Sequence, residues 1–562
     1  MSRRYRSVHR LAALAAAVLL VATAAAATID VPADYPTVQQ ALNVAMPGDT
    51  INVTGTYYEK IRFPRSGSAA GGYITLQAAP GATAVLAGTG VSGCDMVRIT
   101  SQSYIRIIGF VIWDHTGVSD CSGVRMTGHG SHVEIRNNEI YKIRGTDAMG
   151  ITIYGTDPQP ISDLIIDGNF IHDCEPSPSE ALTLNGNVTG FEVTNNFVRD
   201  VNNIGIDFIG GETSINPDPA LVARNGLCRG NTVTRANSNY GGGFAGSIYV
   251  DGGKDIVIER NVVSLGDIGI EVGAENAGIV TSGVVVRDNF VFGSGKCGIA
   301  FGGYDATAGR ADDNFFLGNT LYGNDTTGQG LGELFIQYGQ NNTVRGNVFY
   351  SNAQNVLLYS ELGNVNNALD WNGWYCPGGA SAATFTWRST PYTGFAAYQA
   401  GSGQDGSSLF ADPALVAPAA GNLHLQAASP CLDRGDPAFV PGSGETDVDG
   451  QPRVANGRVD LGADEVLPGG QSPEDILTGQ GPAPPNPNEV KVFAAAGQVV
   501  DFFAYAAGGF GTNVAAGNVD VDATSEIVAR ARPRAGVRPA SERGSIATGR
   551  PSARSASTPM AR

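Results

Sequence analysis

After residue 27 the chain has no apolar run near the roughly 18 residues that a membrane-spanning helix needs. A helical integral membrane protein is excluded by that lack. Charge is scarce, with Asp, Glu, Lys and Arg making up 16% of 562 residues. Cysteine is scarcer still, seven in all, which excludes a small disulfide scaffold. The middle of the chain lacks amphipathic stretches of ten or more residues, so a helical repeat or coiled coil is excluded there. Wholesale disorder does not fit a hydrophobic content of 42%. Glycine (76) and proline (29) are abundant, together nearly one residue in five. That composition belongs to strands and turns, in a chain long enough for two or three domains.

Residues 1–27 have the form of a secretory leader. Arg3, Arg4, Arg6 and Arg10 precede an Ala/Leu/Val run from Leu11 to Val21, then small residues to Ala27. The expected location is extracellular or at the cell surface. A net charge of −17 hides an asymmetry: the leader carries four arginines, and the tail from Ala529 to Arg562 carries eight with one acid, Glu542. Without these two segments the net charge is −28. Such a body repels nucleic acid and anionic lipid, so neither is an expected partner. An anionic polysaccharide would need a bridging cation or a local basic patch. A monomer is expected.

A repeat of about thirty residues dominates the middle of the chain. An alternating apolar strand runs into Asn, then a turn, then a second strand ending in Gly. The asparagines are Asn138, Asn169, Asn196, Asn231, Asn261, Asn289, Asn319 and Asn347. Short strands rich in Val, Ile and Phe at this period read as coils of a parallel β-helix, stacked about 4.8 Å apart. Stacked Asn side chains form an amide ladder, placed by this reading at a bend with left-handed backbone. Cys94-Asp-Met-Val and Cys121-Ser-Gly-Val share a register 27 residues apart, which puts Cys94 and Cys121 on neighbouring coils as a disulfide pair. Cys376 and Cys431 are a second, weaker pair.

On these features the chain resembles the right-handed parallel β-helix proteins of the pectate lyase superfamily, over residues 28–466. The fold class expected is all-β. Thr28-Ile-Asp-Val-Pro, Tyr35-Pro-Thr-Val-Gln-Gln-Ala-Leu and Pro47-Gly-Asp-Thr-Ile resemble that group's N-terminal cap. Val38, Ala41, Leu42 and Ala45 fit one face of a short capping helix. Phe410-Ala-Asp-Pro, Ser429-Pro-Cys-Leu-Asp-Arg-Gly, Asp447-Val-Asp-Gly and Val459-Asp-Leu-Gly-Ala-Asp-Glu resemble its far end. The expected division is a cap and first coils over 28–94, nine or so regular coils over 95–360, and a C-terminal cap region over 361–466. A Pro/Gly-rich linker follows over 467–489. Residues 490–528 resemble a fragment of an FG-GAP/VCBS repeat, a small incomplete β-propeller-like segment, and 529–562 read as a disordered Arg-rich tail. That second resemblance puts Asn518, Asp520, Asp522 and Glu526 at calcium-ligand positions, with Val521 and Ala523 where the family has glycines. A solvated acidic loop is the alternative there.

The second strand of each coil aligns on its alternation. Inward pairs are Ile151/Ile153, Leu182/Leu184, Ile206/Phe208, Ile248/Val250, Ile270/Val272, Ile299/Phe301 and Leu334/Ile336. The residues between them point outward: Thr152, Thr183, Asp207, Tyr249, Glu271, Ala300 and Phe335. Asp207, Asp251 and Glu271 are the candidate catalytic acids. Glu180, Asn185, Tyr249, Lys254 and Glu275 are candidate substrate-binding residues in one shallow groove, with Glu212 in a flanking loop. Crowded carboxylates raise one another's pKa, which acid–base catalysis exploits. The same oxygens suit Ca²⁺, the one cofactor expected. His115, His129, His132 and His172 read as solvated turn residues. Trp371, Trp374, Trp387 and Tyr375 read as a plug at the C-terminal end of the stack.

The function these residues imply is cleavage of an extracellular polysaccharide by lyase or hydrolase chemistry. In the hydrolase version, Asp251 or Glu271 donates a proton and Asp207 activates water. In the lyase version, acids hold Ca²⁺ against a uronate while a basic residue such as Lys254 takes a proton. The competing reading is a non-catalytic carbohydrate-binding or adhesive β-helix.

Overall fold

The structure is a computed structural model. It describes residues 26–467 apart from 241, 242 and 443, and the backbone of five short strands between 476 and 531. Residues 1–25 of the expected leader and most of the tail lie outside the described residues.

Coils of alternating apolar residues stack in parallel. Thirteen strands in ascending chain order, from Thr28–Val31 to Ala368–Asp370, form the first sheet. The other strands of each coil build two further faces, one holding Phe170–His172, Phe197–Val201 and Thr232–Ala236, the other holding Glu180–Gly186, Ile204–Ile209, Gly246–Asp251 and Ile268–Gly273. The fold is thus a parallel β-helix. Nine strands of the first sheet, from Ile105–Ile108 to Thr343–Arg345, fall within 95–360, the nine or so regular coils expected there, and the sheet continues before and after them. The inward pairs from Ile151/Ile153 through Ile270/Val272 are completely buried. Each such side chain contributes about 1.5–3 kcal/mol of transfer free energy.

The Asn series forms the expected ladder and continues to Asn372. Asn231 shows the pattern: its Oδ1 accepts from the Asn196 backbone N–H and Nδ2 (2.9 and 3.0 Å), and its Nδ2 donates to Val193 O and Asn261 Oδ1 (2.9 and 3.0 Å). One expectation is corrected. The left-handed residue is the one before each ladder position, such as Asn137, Asn195, Arg260 and Asp288, or Gly168 and Gly230. The ladder Asn is needed for its amide, not for its backbone. A second ladder, Asn314–Asn342–Asn367, was not anticipated because it spans too few coils to show as a period.

Both ends are closed. The helix Val38–Val44 has Thr37 as N-cap, and Val38, Ala41, Leu42 and Ala45 are all buried. The Glu59 carboxylate accepts from the Val38 and Gln39 N–H groups (2.8 and 3.3 Å), a charge placed where the helix dipole favours it. At the far end Trp374 is fully buried and stacks on Phe349 (4.2 Å between centroids), and the helix Phe395–Ser402 sets Tyr398 against Phe385 (4.3 Å). Trp387 is also buried, while Trp371 and Tyr375 are half-buried. Residues 430–466 then double back along the stack rather than extending it. Ion pairs Arg345–Asp436 (2.6 Å), Arg287–Glu445 (2.7 Å) and Arg453–Asp288 (3.2 Å) fasten this strap.

Cys94 and Cys121 are bonded, with Cα atoms 4.8 Å apart on adjacent coils. Cys376 and Cys431 are not paired; both are free and buried in separate apolar clusters. Non-reducing peptide mapping should recover the Cys94–Cys121 cross-link and show Cys376 and Cys431 alkylated only after unfolding. A Cys376–Cys431 cross-link would overturn this arrangement.

Two of the four histidines depart from the expectation of solvated turns. His115 is buried with Nε2 2.8 Å from Gly93 O, and His172 is buried between Tyr141 and Phe170. His129 and His132 are partly exposed, beside Asp157 and Asp163. In the C-terminal part, strand Glu489–Ala494 pairs antiparallel with both Ile476–Gly479 and Gly497–Phe503, and Thr512–Gly517 pairs with Glu526–Ala531. Asn518, Asp520 and Asp522 lie outside the described residues. Glu526 opens the last strand, and its side chain is likewise outside them.

Candidate active site

Strand register sets one outward row along the whole stack. In successive coils it reads Arg62, Arg98, Arg125, Thr152, Thr183, Asp207, Tyr249, Glu271, Ala300, Phe335 and Tyr359. The stretch from Thr152 to Phe335 is the register expected from alternation. The row changes character along its length: three arginines, two threonines, an acid–tyrosine–acid set, then an apolar wall in which Ala300 and Phe335 pack with Cys297 and Ile268.

The acids do not line an open groove. Asp207 is 1% exposed and Asp251 and Tyr249 are 5% exposed, all beneath loops that cover the row. Loop 210–223 is pinned by Asn216 Nδ2, which donates to Gly155 O at 2.8 Å. Ile279, from the loop after the next strand, packs on Gly211 and Gly252. Both glycines have left-handed backbone (φ 85° and 82°), and a Cβ on Gly252 would sit 2.6 Å from Gly210 O. These paired glycines let the two loops meet over Asp251. Glu180, Glu212 and Glu271 are half-buried at the sides, and Glu275 is at the exposed rim. The groove expected from sequence is therefore a carboxylate-lined recess.

Asn185 is buried and donates through Nδ2 to Glu212 Oε2 at 2.8 Å. The Glu275 backbone N–H donates to Asp251 Oδ1 at 2.7 Å. Asp207 Oδ1 and Asn185 Oδ1 are buried with no hydrogen-bond partner in the protein. An unpartnered buried acceptor costs about 1–3 kcal/mol, a cost tolerated where a ligand group completes the bond. Lys254 heads the strand Lys254–Glu259 of the first sheet, around the corner from Asp251, beside Arg224.

Burial, then mutual repulsion, pushes these acids up. Asp207 is raised well above the carboxylate range by burial, then by Glu180 and Asp251. Glu271 is raised likewise by burial, then by Glu275 and Asp251. Burial first and a neighbouring glutamate second bring Asp251 and Glu180 up to about 8, the neighbours being Glu275 and Glu212 respectively. Although Glu275 reaches solvent, protein around its carboxylate and then Glu212 raise it too. Burial and the surrounding acids also hold the Tyr249 hydroxyl protonated.

Oxygen donors alone do not make a cation site; they must converge. Among the described residues, three candidate ligand atoms lie within 4.8 Å of one another only at His424, Asp449 and Asp464, in the C-terminal strap. No three of the recess acids converge to that distance.

Sequence reasoning missed the loop at the mouth. Tyr240 (49% exposed) and Phe244 (43%) flank the recess, and Tyr240 feels Glu275, Asp267, Glu271 and Glu180. Asp267 Oδ2 staples both ends of that loop, accepting from Ser238 N (2.9 Å), Ser238 Oγ (2.8 Å) and Ala245 N (3.3 Å). The signal was present as two aromatics flanking a glycine run, between Asn231 and Asn261.

No protein-family model matches the chain. Among solved structures it is similar to pectate lyase Pel9A (15% identity, 76% of this chain and 90% of that chain, TM-score 0.41). It is also similar to PfbA, a surface adhesin of Streptococcus pneumoniae (12%, 65% and 94%, TM-score 0.45). Likeness at this level carries no chemistry to this chain. The sequence relationship is closer with YwoF, an uncharacterized protein of Bacillus subtilis (strain 168): 32% identity over 414 residues, covering 70% of this chain and 87% of that protein. The chain belongs to the YwoF family.

Proposed function

We propose that the protein is an exported glycoside hydrolase that lays an extended polysaccharide along the outward row and cuts it at the acid recess. The observation that supports this is the Asp207–Asp251–Glu271 set, two members buried and the third half-buried, whose strongest charged neighbours are all acidic. Asp207 suits the general acid: burial raises it well above the carboxylate range, so it holds its proton more firmly than an exposed aspartate, and its free Oδ1 faces no protein donor. Asp251 suits the base in its ionised form, reached as pH approaches about 8, where the Glu275 N–H stabilises the charge. A coupled acid set can supply a protonated and an ionised member at once. Asp207 and Asp251 lie one coil and two residues apart, about 8 Å at the backbone. That spacing suits inversion, where carboxyls stand roughly 6.5–9.5 Å apart with water between. These roles reverse the sequence expectation, which gave the proton donor to Asp251 or Glu271.

Lyase chemistry is less well served. It needs a base and a cation beside a uronate, and Lys254 stands on another sheet. No step here runs through Ca²⁺. Glu271 helps hold the Tyr249 hydroxyl protonated, Asn185 and Glu180 offer hydrogen bonds to sugar hydroxyls, and Tyr240 and Phe244 give faces on which sugar rings stack.

Incubation of the protein with a panel of polysaccharides should release new reducing ends without the ultraviolet absorbance of an unsaturated product. Ultraviolet-absorbing product would establish lyase chemistry instead. Glycan binding without any product would leave the adhesive reading in its place.

A further inference from the structure

The arginine end of the outward row opens into a cavity of about 620 Å³, within the size range of small-ligand pockets. Lys60, Arg62 and Arg98 line it, with the Gln39 and Asn43 amides from the capping helix. Asp95 also lines it, and the carboxylates nearby are already engaged: Glu59 holds the N-terminus of the capping helix, and Asp95 and Asp120 hold arginines. Asp95 takes Arg98 (2.7 Å) and Arg125 (3.0 Å), and Asp120 takes Arg125 (2.7 Å). Lys60 donates only to a backbone carbonyl, Cys94 O at 2.9 Å. Among the described residues neither Lys60 nor Arg62 has a carboxylate partner. The Cys94–Cys121 bond ties together the segments leading into Arg98 and Arg125, so the cations are held in place. On a body this acidic, an uncompensated basic cavity is a local anion attractor.

We infer that this cavity binds an acidic sugar, one bearing a carboxylate or sulfate, as a remote subsite for the glycan cut at the recess. Its assignment to a glycan rests on the proposed function, because the two sites share one row. Arg98 is four ladder steps from Asp207, about 19 Å at coil spacing, a span of several sugars. Arg62 offers a planar fork matched to carboxylate or sulfate, and Lys60 a point charge. The recess itself repels anions. The substrate this selects has uncharged sugar at the scissile bond and an acidic sugar several units away.

Calorimetry at low ionic strength on the full chain tests this, with chondroitin hexasaccharide, its sulfated form and its carboxyl-reduced neutral form as probes. The expected result is binding of at least one anionic form, with the neutral form at least tenfold weaker. The double variant Lys60→Gln/Arg62→Gln should lose at least tenfold for the anionic form and nothing for the neutral one. Preference for the unsulfated or the sulfated probe tells carboxylate from sulfate. The Arg-rich tail is present in both proteins, so its contribution cancels. Asp207→Asn should leave this binding unchanged. Absence of anionic binding, equal binding of the neutral form, or full binding by the double variant overturns the subsite. Loss of the hydrolase reading appears separately, as unchanged cleavage by Asp207→Asn.

Discussion

Asp207→Asn is expected to lower glycan turnover by about 10²–10⁴-fold, with substrate binding little changed. The amide keeps the shape of the carboxylic acid, so the covering loops have no reason to move. It cannot deliver a proton to the leaving oxygen, and no other group on the row stands in the same place: the adjacent positions are Thr183 and Tyr249. The same variant should change stability with a definite sign. Asp207, Asp251, Glu180 and Glu271 all have folded-state pKa values raised above those of the unfolded chain. Between the unfolded values near 4 and the folded values, two of which are about 8, the native state holds more protons than the unfolded state. Stability from this set is therefore complete below about pH 4 and is lost as pH rises through about 8. Other buried acids, such as Asp288 and Glu333, act in the same direction in both proteins, so the difference isolates the recess. Thermal unfolding at pH 5 and pH 9 should show a smaller alkaline loss for Asp207→Asn than for wild type. An equal loss would mean that the recess acids are ionised and solvated, and the general-acid role of Asp207 would go with it.

Asn231→Ala is expected to destabilise the fold by about 3–6 kcal/mol, at the high end for one substitution. The side chain carries four ladder hydrogen bonds, two accepted from Asn196 and two donated, to Val193 O and Asn261 Oδ1. Alanine leaves the Asn196 N–H and Nδ2 and the Val193 carbonyl buried without those partners, each at about 1–3 kcal/mol before relaxation. Denaturant unfolding reads the effect directly. A loss below about 1 kcal/mol would show that the neighbouring coils re-pair around the gap, and the ladder would then be a consequence of stacking rather than a cause of its stability.

Most of the stack was determined by sequence alone. Inward Ile and Val at alternate positions, an Asn about every thirty residues, and Cys94 and Cys121 in shared register all report local chemistry repeated along one axis. In a β-helix the neighbour of a residue is the matching residue one coil away, so period and alternation together amount to a contact map. The outward placement of Asp207, Tyr249 and Glu271 followed from the same arithmetic. What tertiary structure decided is everything that leaves that period. Loop 210–223 and the turn 274–279 leave that period, and their closure over the row turned an expected groove into a recess whose burial raises Asp207. The strap over 430–466 folds back through ion pairs to residues up to 165 positions away, and it seats Cys431 in a different apolar cluster from Cys376. Tyr240 and Phe244 reach the mouth only because Asp267, on the next coil, grips both ends of their loop. The Arg62–Arg98–Arg125 row continues the acid row but lies before the first ladder Asn, Asn138; the Cys94/Cys121 register already sets Arg98 beside Arg125, and the step from Arg125 to Thr152 is seen only in the strand pairing. Coil stacking is a local rule applied many times and can be read from one chain. Loop closure depends on which unrelated side chains meet across coils, and that is fixed only in three dimensions.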